Sequence, residues 1–356
     1  MTDSHDLRLR LGHLPDGSPD ELVVRLVRID RAASTNDVVR ELWQRSGGDA
    51  DAVPALLTVE TAEQTAGRGR RGREWVAPAG KCLAVSTIVR IPAGNGAREH
   101  IGWLPLVAGL ALRDAILQAA PDRADDVRIK WPNDVLVDGR KTAGILGEVL
   151  GESGARGKGA ELAATADEGP RVDPAPQTDA TADEPAHTQA EGKGAELGEP
   201  AAADARADEG EGAELVPAAP ASASGPDLGA VIGTGINLLL AEDELPVPTA
   251  TSLALSGIPV SGRELVGAYL TSLAARVRRL LAASGDADAS GLRAELVAAC
   301  ATVGVRVRAA LPGGDVLVGE AIDIAPTGEL VIRDDAGRVH AIAAGDVERV
   351  RPEGVE

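Results

Sequence analysis

Apolar and polar positions alternate with a period of two, or cluster in short apolar runs, over much of the chain. From Glu21 to Asp30 the sequence ELVVRLVRID predicts a strand. Ser34-Thr35-Asn36 follows, and VVRELWQRSG then takes up helical spacing. A Ser or Thr in front of a helix ordinarily caps it, which is the plain reading of Ser34 and Thr35. PALLTVETAEQ predicts another strand and leads to a loop, Gly67–Trp75. CLAVSTIVRI predicts a strand and Leu104–Ala119 a long helix. VRIKW, VLVDG and TAGILGEVL are short β-rich runs bounded by turn residues. The pattern lapses after Gly151 and resumes at Leu228, where AVIGTGINLLL reads as a strand ending in a turn. Residues 262–300 hold two helical stretches, GRELVGAYLTSLAARVRRLLAAS and ADASGLRAELVAAC. From Val303 short alternating strands with Gly turns (VRVRAAL, VLVGEAIDIA, GELVIRD, RVHAIAAGDVERV) predict a small β-barrel.

These patterns divide the chain into a flexible leader at 1–20, a body at 21–300 and a C-terminal barrel at 303–356, with an insertion at 152–228 interrupting the body. The insertion is Ala, Gly, Glu, Asp and Pro with few large apolar side chains, and it repeats GKGAEL and TADE. Between Glu152 and Asp227 there are 17 acidic residues against 5 basic ones. Repeats without an apolar face cannot offset the entropy of ordering the chain, so the segment reads as a disordered, acidic, low-complexity surface insertion with no catalytic role.

Composition narrows the function. Apolar residues make up 44% of the chain, but there is no Phe and one Tyr, so the core must be built from Leu, Val, Ile and Ala. The formal charge of −19 argues against general nucleic-acid binding, which needs a basic face. Cys82 and Cys300 are far apart and read as buried thiols; the five His are scattered, so no metal site is predicted. Residues 1–20 lack the apolar stretch of a signal peptide, and no apolar run reaches membrane-spanning length, so a cytoplasmic protein is expected.

Candidate chemistry sits in four segments. Gly67-Arg68-Gly69-Arg70-Arg71-Gly72-Arg73-Glu74-Trp75 is a flexible cationic loop: glycine permits close backbone approach, and guanidinium matches carboxylate and phosphate geometry. Taken alone it could equally be a nucleic-acid segment or a solvated basic turn. Lys130-Trp131-Pro132-Asn133-Asp134 ends a strand in a rigid turn that can aim Lys130 into a cleft, although an ordinary exposed lysine fits as well. Lys141-Thr142-Ala143-Gly144-Ile145-Leu146 and Gly233-Thr234-Gly235-Ile236-Asn237 place small residues in strands, where a ligand or another backbone can approach. There is no Walker A motif and no dinucleotide fingerprint, so any nucleotide is held on another scaffold.

In this order, Ser34-Thr35-Asn36, Gln64 with GRGRRG, KWPND, KTAGIL and GTGIN, the chain resembles the biotin–protein ligase family over about 22–151 and 229–356. The resemblance implies an α+β fold of the class II synthetase and biotin–lipoate ligase type: a central mixed β-sheet flanked by helices, with a small C-terminal SH3-like β-barrel. It implies ATP-dependent activation of biotin to biotinyl-5'-AMP, with Mg²⁺, and transfer to a lysine of the biotin carboxyl carrier domain of an acyl-CoA carboxylase. Ser34, Thr35, Asn36 and Gln64 should hold the biotin rings. Arg68, Gly69 and Arg70 should close over biotin and the adenylate, and Lys130 should meet the reacting carboxylate and phosphate. Arg73, Trp75 and Asn237 are nucleotide-side candidates, and the backbone at Gly144 and Gly235 should border the biotin tail. Only 33 residues precede Ser34, too few for the helix-turn-helix domain of some relatives, so specific DNA binding is not expected. No membrane role is expected, and the protein is a monomer or a homodimer. Two other readings stay open: a lipoate-type ligase, and a non-catalytic biotin-sensing or carrier-binding module.

Overall fold

The apolar runs become strands of one large sheet. The computed structural model describes residues 2–13, 19–47, 49, 56–98, 101–152, 160–161, 226–311, 315–343 and 346–349. Strands β1 (Thr2–His13) and β2 (Pro19–Ile29) pair antiparallel, and β2 runs parallel to β3 (Leu56–Thr61). A separate hairpin follows, β4 (Gln64–Arg68) and β5 (Glu74–Ala77), joined by a single 3₁₀ turn at Arg70–Gly72. The main sheet continues with β6 (Cys82–Ile91), β7 (Val127–Lys130), β8 (Asp134–Val137), β9 (Arg140–Glu152), β10 (Ala160–Glu161) and β11 (Leu228–Asn237). Its order is β1-β2-β3-β6-β11-β9-β8-β7, with β10 on β9. All its pairings are antiparallel except β2 with β3, so the sheet is mixed, as the resemblance implies.

Helices cover both faces. On one lie α2 (Trp103–Ala119) and α3 (Gly262–Ala282), with α4 (Leu292–Ala299) beside them. α2 is apolar almost all round and is buried from Trp103 to Leu112, which suits a helix between a sheet and a second helix. α3 starts at a capping box: Ser261 Oγ accepts from Glu264 N, and Glu264 Oε2 accepts from Ser261 N, both at 3.2 Å. On the other face α1 (Thr35–Ser46) packs Val39 and Trp43 against Leu57, Val59, Ile88 and Val231. α1 stops at Gly47, whose φ of 60° is the left-handed conformation that glycine adopts without a Cβ penalty.

The last five strands are β12 (Arg306–Ala310), β13 (Val316–Ile324), β14 (Leu330–Asp334), β15 (Val339–Ile342) and β16 (Asp346–Arg349), an antiparallel sheet in the order β15-β14-β13-β12-β16. It forms the SH3-like C-terminal unit. Two indoles fasten it to the body: Trp103 Nε1 donates to Pro326 O at 2.6 Å and Trp131 Nε1 to Gly328 O at 3.0 Å.

Two segments differ from the sequence reading or lie outside it. Residues expected as a leader contain β1, because Leu7, Leu9 and Leu11 alternate with Arg8 and Arg10 in the same period-two signal that marks β2. Within 152–228, residues 153–159 and 162–225 lie outside the described residues, and so does the expectation of disorder there. The two edges of that stretch are described: Leu228 pairs with Glu152, so its two ends meet at the sheet.

Candidate active site

The face of the sheet under α1 carries rows of cross-strand partners, which share a face by the geometry of pairing. One row reads Thr61, Ala84, Gly235, Gly144, Asp134, Lys130. The next reads Val59, Ser86, Gly233, Leu146, and the third Leu57, Ile88, Val231, Glu148. The third row supports α1. The first two have small residues in the middle strands, which leaves a trough in the sheet surface beside the helix, covered by Asn36 and Trp75.

The start of α1 forms one end of the trough. Ser34 occupies the N-cap position, but its side chain makes no capping bond. Gln64 does that work: its Oε1 accepts from Thr35 N at 2.8 Å and from Thr35 Oγ1 at 3.1 Å. A backbone N–H in the first helical turn has no intrahelical partner, so a side chain from β4 takes its place. Ser86 Oγ lies 2.6 Å from both Thr35 Oγ1 and Asn36 Oδ1. Asn36 lies flat on β11, where a Cβ on Gly233 would stand 2.3 Å from Asn36 Oδ1. Ser34, Thr35 and Asn36 are all buried. The structure thus brings together Ser34, Thr35, Asn36 and Gln64, and adds Ser86, a polar residue inside an apolar strand.

The hairpin β4–β5 covers the other end. Trp75 lies over two glycines: a Cβ on Gly235 would meet its ring at 2.4 Å, and one on Gly144 at 3.4 Å. Any residue other than glycine at 235 would therefore displace the indole. Trp75 Nε1 is buried without a hydrogen-bond partner among the described residues. The Lys141 ammonium sits 5.9 Å from the centre of the Trp75 ring, 2.6 Å from Asp134 Oδ1, and 3.0 Å from where a Gly144 Cβ would be. In the sequence the KTAGIL motif draws attention to the small neighbours of Lys141 and not to the lysine itself. Its reach over the floor depends on the bulge between β8 and β9 at Val135/Leu136, which spacing does not reveal. Lys130 ends the same row beside Asp134, and its ammonium is not engaged with another described residue. Two lysines and one carboxylate therefore share this edge.

Of the arginines, Arg68 reaches Asp37 Oδ1 at 2.5 Å, and that hydrogen bond raises its pKa above the ordinary guanidinium value. Arg70 approaches Asn133 Oδ1 at 3.5 Å and joins Trp131, Pro132, Leu146 and Gly147 around a cleft that the barrel closes with Gly328 and Ala343. Gly69 donates to Arg73 O at 2.6 Å across the turn, and the Arg73 side chain is exposed. Asn237 is placed differently. It is buried, its Nδ2 donates to Thr251 O at 2.9 Å, and the Cys82 thiol lies 4.0 Å from its Oδ1. These contacts hold the 251–253 turn against β11. Burial pushes the Cys82 thiol up to about 12, so it stays protonated.

Hydrogen-bonding groups at one end, glycines between and cations at the other are the arrangement that a ligase activating a small carboxylic acid requires. The model of the biotin/lipoate A/B protein ligase family matches residues 31–158, and that of the biotin protein ligase C-terminal domain matches residues 302–350. The biotin–[acetyl-CoA-carboxylase] ligase of Mycobacterium tuberculosis is 29% identical over 91% of this chain and 90% of its own length. That of Paracoccus denitrificans is 48% identical over 30% of this chain and 45% of its own. A biotin protein ligase from Aquifex aeolicus, solved in complex with biotin and ATP, superposes with a TM-score of 0.54 at 17% identity, covering 91% of this chain and 99% of that one; at this identity the likeness concerns the fold. The chain belongs to the biotin protein ligase family.

Proposed function

We propose that this protein activates biotin with MgATP and transfers the biotinyl group to a lysine of a biotin carboxyl carrier domain, acting in the cytoplasm as a biotin–[acetyl-CoA-carboxylase] ligase. The observation that carries the reading is the trough: ring-binding groups at the α1 end, Gly235 and Gly144 along its length, and Lys141, Lys130, Arg68 and Arg70 toward the other end.

In the first step a biotin carboxylate oxygen attacks the α-phosphorus of ATP and pyrophosphate leaves. Two anions must meet, which is costly unless cations are already in place. Lys141, held by Asp134 at the trough floor, is the pre-positioned cation for the carboxylate and α-phosphate, and Lys130 on the same row supports it. Arg68, Gly69 and Arg70 close over the mixed anhydride and keep water out. Arg73 and Trp75 border the nucleotide, and the unpartnered Trp75 Nε1 can donate to it. Asn237 supports this wall by holding the 251–253 turn. Mg²⁺ enters on the ATP phosphates as part of that substrate, and the described residues hold no cluster of three His, Cys, Asp or Glu that would bind a metal. In the second step the deprotonated carrier lysine attacks the anhydride carbonyl carbon and AMP leaves with its bonding pair.

The C-terminal domain match favours biotin over lipoate. The test is pyrophosphate release with ATP and Mg²⁺, with biotin or lipoate as the acid. Release with biotin alone is expected. Release with lipoate alone would transfer the chain to the lipoate-type ligases, and no release from folded protein would reject ligase activity.

A further inference from the structure

A run of alternating charges ties the ring end of the trough to the arginine hairpin. Glu148, on β9, is buried in the row beneath α1 with Ile88 and Val231. Its Oε1 accepts from Asn36 Nδ2 at 2.8 Å, and its Oε2 pairs with Arg40. Arg40 also pairs with Asp37, and Asp37 accepts from Arg68. Asn36 is therefore gripped at both ends of its amide, by Glu148 at Nδ2 and Ser86 at Oδ1.

A buried carboxylate is a poor way to fasten a helix to a sheet. Apolar residues would do so at no desolvation cost, and Trp43 and Val39 already do. What the carboxylate adds is direction, because only an acceptor at this point fixes which end of the Asn36 amide faces β9 and which faces Ser86. The second oxygen orients Arg40, which in turn holds Asp37 where Arg68 reaches it.

We propose that Glu148 is a positioning residue for biotin: it sets the Asn36 amide at the ring pocket and, through Arg40 and Asp37, the seat on which Arg68 closes. The proposal rests on reading the trough as the biotin site. It makes Asn36 a residue that shapes the pocket from behind, with Ser34, Thr35 and Gln64 nearer the ligand.

The experiment uses the full chain with Glu148→Gln, Asp37→Asn and Asp37→Glu, titrated with biotin by calorimetry. The amide introduced by Glu148→Gln offers one acceptor and one donor group where the carboxylate offers two acceptors, so it must release either Asn36 or Arg40. Biotin Kd should rise about tenfold in Glu148→Gln, the scale of a lost charge-assisted hydrogen bond, with the ATP KM at saturating biotin within about twofold of wild type. Asp37→Asn breaks an exposed pair and should cost about two- to fivefold, with Asp37→Glu restoring affinity. Wild-type biotin affinity in a cooperatively melting Glu148→Gln would overturn the proposal, and so would equal weakening of biotin and ATP, the mark of a merely structural role. If Glu148→Gln does not melt cooperatively, unaltered biotin affinity in Asp37→Asn overturns it. Wild type that binds no biotin would bring down the functional reading as well, whereas normal binding with unchanged variants removes this proposal alone.

Discussion

Replacing Lys141 by Ala tests which lysine carries the chemistry. The Lys141 ammonium is fixed by Asp134 at 2.6 Å and lies over Gly144, whereas the Lys130 ammonium has no such partner among the described residues. A unit charge about 4 Å from a carboxylate oxygen contributes on the order of 4 kcal/mol at the effective dielectric of a partly exposed site. Removing one pre-organised donor from a charged transition state costs about 2.7–4 kcal/mol in rate. The expected loss is therefore about 10²- to 10³-fold in kcat for biotin-dependent pyrophosphate release. Lys130→Ala should lose about tenfold or less, because a cation not anchored by a carboxylate must be ordered at the moment of reaction. Lys141→Ala also strands the Asp134 carboxylate beside the substrate anion, so adding Asp134→Asn should recover part of the loss. The assay is steady-state pyrophosphate release at saturating ATP, with thermal melting as the folding control. A larger loss in Lys130→Ala than in Lys141→Ala would refute the reasoning, since it would show that the lysine without a carboxylate partner acts.

Gly233→Ala places a Cβ 2.3 Å from an Asn36 side chain that Ser86 and Glu148 hold in place, and should destabilise by about 1–3 kcal/mol; an unchanged denaturant midpoint would contradict the packing described. In the barrel, hydrogen bonds from His340 and Arg338 hold the Asp334 carboxyl well below its ordinary value. A depressed carboxylate stabilises the fold above its unfolded pKa, near ~3.9, and that contribution fades as pH falls through the acid range. Melting temperatures of wild type should thus fall more steeply with acidification below about pH 4 than those of Asp334→Asn, and parallel curves would remove this linkage. Replacing residues 162–225 by a short turn should leave biotin activation within about twofold, because Glu152 and Leu228 are already paired and Asp227 keeps its pair with Arg90; a large loss in the pyrophosphate assay would give the insertion a role in activation.

Much of this architecture is legible in the sequence, for identifiable reasons. CLAVSTIVRI reads as a strand because it is a bounded apolar run, and β6 occupies those ten residues. The mixed sheet, the helices and the SH3-like unit follow from the motifs together with the pattern. The hairpin β4–β5 was hidden by its glycines and arginines, which read as loop although Gly67 pairs with Trp75 and Arg68 with Glu74. Ser86, Lys141 and Glu148 were missed because their significance lies in register. Ser86 matters as the partner of Gly233, and Lys141 because a bulge folds it over Gly144. Glu148 did leave a signal, a lone carboxylate in the apolar run TAGILGEVL. Asn237, expected at the nucleotide, braces a turn, a role visible only once Thr251 is seen beside it.

The central position of β11 also bears on how the protein is made. β11 lies between β6 and β9, both of which leave the ribosome before it, and it supplies Gly233 and Gly235 to the trough. Those two strands cannot take their final places until β11 emerges, and the 75 residues at 153–227 must be synthesised first. At ribosomal rates of about 5–20 residues per second, that interval is roughly 4–15 s. During it the nascent chain has exposed edges on β6 and β9 and no complete trough. The central sheet is thus completed late in synthesis, and the interval before it is when a chaperone would have most to protect.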